Sequence, residues 1–144
     1  MQPFSISMRV YYEDTDAGGI VYHANYLKFT ERARTDWLRS AGLRQQELLE
    51  QGRGFVVTRL KARFVHSARL DDTLTVTCAP IRVGRASLTF YQQVLGEGQE
   101  LLFELECQAA QLDLRQRRPL PLSEGLLELA RAQLDPTAQP GVEY

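Results

Sequence analysis

The sequence predicts an α+β domain in which one long helix packs against a single antiparallel sheet. An apolar stripe with helical period runs from Asn25 to Ala41, and five other segments alternate apolar and polar residues. The last three of these segments are joined by short turns that contain glycine, and strands connected in this way are antiparallel. A helix with one apolar stripe needs a surface to cover it, and the sheet supplies that surface.

The segment from Asn25 to Ala41 is the clearest helix in the sequence. Its apolar positions recur at three- and four-residue steps, and Gly42 follows as a plausible end. The stripe consists of Tyr26, Phe29, Thr30, Ala33, Trp37 and Ala41. A second, short helix is predicted from Gln45 to Gln51.

Five strands are predicted from the two-residue alternation of apolar and polar side chains. The first strand, Ser5 to Tyr12, places one set on a common face: Ile6, Met8, Val10 and Tyr12. The other four span Phe55 to His66, Thr73 to Val83, Ala86 to Leu95, and Glu100 to Leu114. In the last strand, Leu101, Phe103, Leu105 and Cys107 lie on one face, and Glu104, Glu106 and Gln108 lie on the other.

The C-terminal part of the chain predicts one more helix and a tail. Ser123 can cap a helix that runs to about Leu134, with Glu124 in its first turn. The last ten residues, 135–144, are polar and contain two prolines, so we expect a frayed end. The chain is therefore predicted to be one domain over residues 1–134, followed by this tail.

The composition of the chain argues against two classes of function, nucleic-acid binding and membrane insertion, and predicts where in the cell the protein works. The chain has 144 residues, a net charge of -1 and no apolar run long enough to cross a bilayer, so we expect neither nucleic-acid binding nor membrane insertion. Its N-terminus lacks the pattern of a secretory signal. Cys78 and Cys107 have no metal-motif spacing and fit buried free thiols in a reducing compartment. We predict a cytoplasmic protein without a metal or organic cofactor.

The segment YYEDTDAGGIVYHANYLKFTERARTDW, from Tyr11 to Trp37, carries the candidate chemistry. Its loop holds three acidic residues, a Gly18-Gly19 break and His23, directly before the long helix. The N-terminus of a helix carries partial positive charge, and a carboxylate beside it is a common way to build a reactive site. The spacing alone makes this loop a candidate site and does not name the reaction.

The same segment resembles the signature of the 4-hydroxybenzoyl-CoA thioesterase family. Its core, TDAGGIVYHANY, is most similar to the Tol–Pal-associated bacterial acyl-CoA thioesterase branch of that family. A later segment, RFVHSARLDDTLTV, is similar to the family's second block, where His66-Ser67 replaces a common Arg-Pro pair. The resemblance covers about Ile6 to Leu114.

The resemblance implies the hotdog fold, in which a five-stranded antiparallel sheet wraps around a long central helix. It also implies a homodimer or homotetramer whose active sites lie at subunit interfaces. The substrate would be an acyl-CoA, with acyl-carrier-protein thioesters as an alternative. Asp16 matches the family's catalytic aspartate, which acts as nucleophile or general base. The alternative for Asp16 is to cap a turn through its own backbone.

The resemblance assigns further roles around Asp16. The backbone N–H at His23 would polarise the thioester carbonyl, and the imidazole is a second catalytic candidate. Substrate-binding candidates are Gly18, Gly19, Tyr22 and Asn25, together with Arg82 and Arg85 for the phosphates of CoA. For Asn25 the alternative is to tie the loop to the helix, and Asp14 is expected to brace the loop. Glu31 is expected to form a helical ion pair with Lys28 or Arg34.

The sequence therefore predicts an acyl-CoA thioesterase that releases a free acid and CoA. The main alternative is an acyl-thioester-binding or scaffold protein of the Tol–Pal cell-envelope machinery with weak hydrolysis. Enoyl-thioester hydration, another activity of hotdog domains, would need a hydration motif that the sequence lacks. The length and aromaticity of the acyl group are left open.

Overall fold

The computed structural model describes residues 2–134, so the predicted tail at 135–144 lies outside the described residues. The strands are β1 (Phe4–Arg9), β2 (Arg53–Phe64), β3 (Thr73–Val83), β4 (Ser87–Leu95), β5 (Leu101–Asp113) and the two-residue β6 (Arg118–Pro119). The helices are α1 (Asn25–Ser40), α2 (Gln45–Glu50) and α3 (Glu124–Gln133). None of these helices is both long and apolar enough to cross a bilayer.

The five long strands form one antiparallel sheet in the order β1-β3-β4-β5-β2, and β6 adds a short pairing to β5. The β3–β4 and β4–β5 turns close through hydrogen bonds from Gly84 N–H to the Ser87 carbonyl (2.8 Å) and from Gly96 N–H to the Glu100 carbonyl (2.9 Å). The predicted fold is confirmed: this is the hotdog arrangement, with a long helix held by a curled sheet and a short C-terminal helix.

Helix α1 supplies the centre of the core. Its predicted stripe is buried from Tyr26 to Trp37, whereas Ala41 lies just beyond the helix and is only half-buried. Trp37 packs edge-on against Phe90 of β4 with ring centroids 5.1 Å apart. The Trp37 indole N–H also donates to the Gln133 side chain at 2.8 Å, which ties α1 to α3. The helix ends at Ser40, and Gly42 just beyond it has a φ of +83°, which suits glycine because it has no Cβ.

The first strand is shorter than its alternation predicted. The strand ends at Arg9, and Tyr12–Asp14 form a single 3-10 turn. Tyr12 does not join the face of Ile6 and Met8, because its side chain is 83% exposed. The Asp14 carboxylate accepts the Tyr11 N–H at 2.9 Å, and this local bond turns the chain out of the strand.

The polar face of β5 is more buried than a solvated strand face would be. Glu104 is only 1% exposed, because Arg63 of β2 forms an ion pair with it and the Tyr91 hydroxyl of β4 donates to it at 2.8 Å. Burial and the neighbouring Glu104 carboxylate raise the pKa of Tyr91 to about 12, so Tyr91 stays a donor. The outer face of the sheet thus holds a cross-strand polar network.

Within residues 2–134, strand β2 is an edge of the sheet and pairs with β5 alone. A register shift between Val57 and Arg59 breaks the regular alternation that the sequence predicted for this strand. Several apolar side chains on and near this edge remain exposed, among them Val57, Leu60, Phe64, Leu27 and Leu49. Unpaired backbone beside exposed apolar side chains is a surface suited to association.

Candidate active site

The acidic loop folds into a small hairpin. Residues 14–16 run antiparallel to residues 20–22, with a bridge between Thr15 and Val21 and a bond from the Asp16 N–H to the Ile20 carbonyl at 3.0 Å. Gly19 has a φ of +78°, and its N–H donates to the Asp16 carbonyl at 3.0 Å. The hairpin therefore turns at Gly18-Gly19 and carries Asp16 at its tip.

Asp16 is exposed, and only one of its carboxylate oxygens is bonded within the described chain. Its Oδ1 accepts the Gly18 N–H at 2.8 Å, which closes an Asx turn. The turn-capping role is thus present, and it leaves the second oxygen facing outward. A carboxylate held in one orientation with a free oxygen can still act on a ligand.

Asp14, two residues earlier, is 4% exposed. Its Oδ1 accepts the Asn25 amide at 2.9 Å, and its Oδ2 accepts the Tyr11 N–H at 2.9 Å. Asn25 is itself buried and begins helix α1. Asp14 and Asn25 together fix the hairpin to the start of the helix, and neither polar group faces solvent.

The helix N-terminus offers unpaired donors beside this hairpin. Within residues 2–134, no acceptor of the chain binds the backbone N–H of His23 or Ala24. The first turn of α1 contains no acidic residue to offset its positive end. Such N–H groups are suited to an oxyanion.

The imidazole of His23 is exposed and packs among aromatic rings. Its centroid lies 4.5 Å from the Tyr22 ring and 6.4 Å from the Phe64 ring at the end of β2. Tyr22 is 45% exposed, so it forms part of the open surface next to the helix N-terminus. The structure therefore places His23 and Tyr22 together, and no hydrogen bond of the described chain joins the His23 ring to Asp16.

Residues 66–69 form a wall of the site that the sequence did not predict. Val21 N–H donates to the Ala68 carbonyl at 2.9 Å, and Ile20 forms a bridge with Arg69. The Tyr26 hydroxyl accepts the Ala68 N–H at 3.0 Å, and burial raises the pKa of Tyr26. His66 also lies in this segment. Only the second family block pointed to it.

The two arginines expected at the CoA phosphates lie elsewhere in the chain. Arg82 is near the end of β3, and Arg85 is in the turn that follows. Asp72, which directly precedes β3, bonds through its backbone to Val10 and to Arg69, the residue that bridges Ile20 of the hairpin. Arg82 comes ten residues after Asp72, roughly 30 Å along extended chain. Arg82 also forms an ion pair with Glu106. One chain does not bring these arginines to Asp16.

A cavity of about 360 Å³ lies between α1 and the β2 side of the sheet. Its walls are mainly apolar and include Leu27, Leu38, Phe55, Leu60, Leu88 and Phe90. Leu27 is in the first turn of α1, so one end of the cavity lies close to the helix N-terminus. The sequence did not predict this cavity, because its walls come from five elements, α1, α2, β2, β4 and β5, that meet only in the fold.

Three charged residues on one side of α1 also line this cavity: Lys28, Glu31 and Arg34. The expected ion pair of Glu31 with Lys28 or Arg34 is wrong, because within residues 2–134 none of these three side chains takes part in an ion pair. Arg34 donates instead to the Gln92 side chain at 2.9 Å. The part of the chain that the structure describes contains no cluster of three metal-ligating side chains.

Comparison with known proteins agrees with this architecture. Residues 10–129 match the model of the thioesterase-like superfamily. The chain is 43% identical over 118 residues to the acyl-CoA thioesterase YbgC of Haemophilus influenzae, covering 81% of this chain and 86% of that protein. It is 39% identical over 124 residues to the acyl-CoA thioester hydrolase YbgC of Escherichia coli O6:H1, covering 86% of this chain and 92% of that protein.

Solved structures with the same fold include a 1,4-dihydroxy-2-naphthoyl-CoA thioesterase from Synechocystis. Its TM-score is 0.84 at 22% identity, and the match covers 90% of this chain and 96% of that one. At this identity the likeness supports the fold alone. The family resemblance read from TDAGGIVYHANY is confirmed by the superfamily match and by the two bacterial relatives. The chain belongs to the thioesterase-like superfamily.

Proposed function

We propose that this protein hydrolyses acyl-CoA thioesters to a free acid and CoA. The observation that carries the proposal is the pairing of two features in one small unit. An exposed carboxylate, Asp16, is held at the tip of the hairpin, and unpaired N–H groups at His23 and Ala24 lie at the start of α1. Hydrolysis of a thioester needs a base or nucleophile and an oxyanion donor, and this unit supplies both.

In the proposed reaction the thioester carbonyl oxygen accepts hydrogen bonds from the His23 and Ala24 N–H groups. Asp16 then removes a proton from water, which attacks the carbonyl carbon, or it attacks that carbon itself to form a mixed anhydride that water cleaves. The C–S bond breaks, and CoA leaves as a thiolate that takes up a proton. Gly18, Gly19 and Tyr22 border the ligand, and the His23 imidazole is free to assist.

Asn25 has a supporting role in this proposal. It was a substrate-binding candidate, but its amide is buried and bonded to Asp14. Its contribution is therefore to hold the hairpin at the helix N-terminus. Arg82 and Arg85 remain candidates for the CoA phosphates only if the protein is an oligomer, where they would face the site of a neighbouring subunit.

We propose that two copies associate through the β2 edge. The unpaired strand and the exposed Val57 and Phe64 support this, and Phe64 contacts the His23 ring, so the interface would border the active site. Sedimentation velocity should give a dimer or larger assembly. Val57→Lys should weaken it, whereas Ser7→Lys, on the opposite edge of the sheet, should not. A monomeric wild-type protein would contradict the proposal.

The hydrolysis proposal is tested by incubating the protein with a panel of acyl-CoA and acyl-carrier-protein thioesters and measuring the release of free thiol. Asp16→Asn is the matched variant, because an amide oxygen can still accept the Gly18 N–H while the charge is lost. We expect its kcat to fall by at least about 100-fold, the lower range of general-base contributions, with acyl-CoA binding retained. Single-turnover hydrolysis in oxygen-18 water, with mass analysis of Asp16, separates the two routes.

Near-normal turnover by Asp16→Asn would remove Asp16 from the mechanism. Absence of turnover by the wild-type protein on every thioester of the panel would favour the binding or scaffold alternative. Thermal unfolding of both proteins shows whether a loss of rate comes from a loss of fold.

A further inference from the structure

We propose that the cavity beside α1 selects acyl groups whose far end carries a carboxylate, and that Arg34 is the residue that recognises it. This inference deepens the proposed function and depends on it. It starts from the position of one charged side chain among mostly apolar cavity walls.

Arg34 is held in place by Gln92, a buried residue that is fixed by hydrogen bonds of its own. Gln92 of β4 is completely buried, and its amide nitrogen donates to the Thr30 carbonyl at 2.9 Å and to the Thr77 carbonyl at 3.2 Å. These two bonds leave its Oε1 to accept the Arg34 N–H at 2.9 Å. The guanidinium is therefore oriented before any ligand arrives, which lowers the entropic cost of binding.

The charge of Arg34 is not balanced by a carboxylate of the described chain. No ion pair within residues 2–134 involves Arg34, and its bond to Gln92 is to a neutral group. A guanidinium has five N–H donors in a planar fork suited to a carboxylate, and Gln92 accepts from only one of its nitrogens. Arg34 is only partly buried and lines the cavity, so its remaining donors can meet a ligand.

The other cavity charges do not cancel this site. Lys28 and Glu31 lie closer to the helix N-terminus, are exposed to solvent and have opposite signs. Arg34 lies one turn deeper, and its positive charge extends into the core, where it opposes the rise that burial causes in the pKa of Cys78 and Cys107. The three cavity residues therefore carry a net positive charge, and Arg34 is the one that places its charge deepest in the cavity.

The depth of Arg34 sets the length of the acyl group. Nine residues separate Asn25 from Arg34, about 13 Å along the helix axis. Side chains on a helix lean toward its N-terminus, so the guanidinium lies roughly 8 to 13 Å from the proposed thioester carbonyl site. A short or medium dicarboxylic acyl chain spans this distance, with its methylenes against Leu27, Leu60 and Phe90 and its free carboxylate on Arg34.

The experiment compares adipoyl-CoA with hexanoyl-CoA, which share a chain length and differ in the terminal carboxylate. We expect wild-type kcat/KM to favour adipoyl-CoA by about tenfold or more, the scale of a hydrogen bond to a charged group. Arg34→Met should abolish or reverse this ratio. Arg39→Met, which removes an exposed cation of α1 that does not line the cavity, should leave the ratio unchanged. A ratio measured on one protein sample is independent of the fraction folded.

A wild-type preference for hexanoyl-CoA, or an unchanged ratio in Arg34→Met, would overturn the inference. A second measurement separates it from the hydrolysis proposal. Calorimetric binding of both acyl-CoAs to Asp16→Asn, with and without Arg34→Met, reports selection by the cavity when no turnover occurs. Tighter binding of adipoyl-CoA that depends on Arg34 supports the cavity assignment even if the wild-type protein hydrolyses neither thioester, and equal binding contradicts it.

Discussion

Two aspartates of the same hairpin, Asp14 and Asp16, are placed in opposite environments. Asp14 is buried, and both of its oxygens accept hydrogen bonds, from the Asn25 side chain and from the Tyr11 backbone. Asp16 is exposed, and one of its oxygens accepts the Gly18 N–H while the other is free within the described chain. Two residues of separation thus give one carboxylate a structural role and leave the other available.

The difference comes from where the chain turns. Asp14 is the last residue of the 3-10 turn, and its side chain accepts a hydrogen bond from Asn25 at the buried start of α1. Asp16 precedes the Gly18-Gly19 turn, where the hairpin leaves the body of the protein. A buried carboxylate needs both acceptors satisfied, because an unpaired charge in the interior is expensive. A reactive carboxylate instead needs an oxygen that a substrate or a water can reach.

The same substitution at both positions should separate these roles, with the larger effect on stability at Asp14. Both partners of Asp14 are donors, and an asparagine amide can offer an oxygen to only one of them. We expect Asp14→Asn to lower the free energy of unfolding by about 1–3 kcal/mol. Asp16→Asn keeps the acceptor for the Gly18 N–H and should change the free energy of unfolding by less than about 0.5 kcal/mol. Urea denaturation of both variants measures the difference.

An unfolding free energy that falls equally in the two variants would show that Asp16 also braces the fold. Folded Asp14→Asn protein should keep much of its thioesterase rate, since no reacting atom is removed. A loss of rate in folded Asp14→Asn as deep as that in Asp16→Asn would mean that the two aspartates work as one catalytic pair.

The long helix and the sheet could be predicted from the sequence because their determinants are local. The three- and four-residue steps of Tyr26, Phe29, Ala33 and Trp37 match the buried stripe of α1. Strand alternation likewise found the long strands, apart from the end of β1, where the bond between Asp14 and the Tyr11 N–H competes with the sheet. Local hydrogen bonds of this kind leave no periodic pattern to read.

The candidate site could be located from the sequence, but its division of labour could not. The motif around Asp16 depends on residues adjacent in the chain, so a sequence pattern finds it. The partners that give Arg34 and Glu104 their environments are 58 and 41 residues away, and such contacts depend on the register of several strands. For the same reason the half-buried position of Arg34, the buried position of Glu104 and the cavity beside α1 all required coordinates.

The smallest effects are expected from alanine substitutions at the turn itself, at the neighbouring residues Gly18 and Gly19. A Cβ added at Gly18 would lie 3.1 Å from the Asp16 Oδ1, so Gly18→Ala should displace the carboxylate by a few tenths of an ångström. A Cβ at Gly19 meets nothing within 4 Å, but the φ of +78° there disfavours any other residue.

We therefore expect Gly18→Ala to reduce kcat by roughly threefold to tenfold, because misplacement of a catalytic group is costly, with little change in unfolding free energy. Gly19→Ala should instead lower the unfolding free energy by about 1 kcal/mol, the cost of a left-handed backbone for a residue with a Cβ, with a smaller effect on kcat. Steady-state kinetics and urea denaturation on both proteins test the pair. If both variants lose stability and keep the wild-type kcat, the orientation that Gly18 gives to the Asp16 carboxylate has no part in the reaction, because the turn has then been altered without any effect on catalysis.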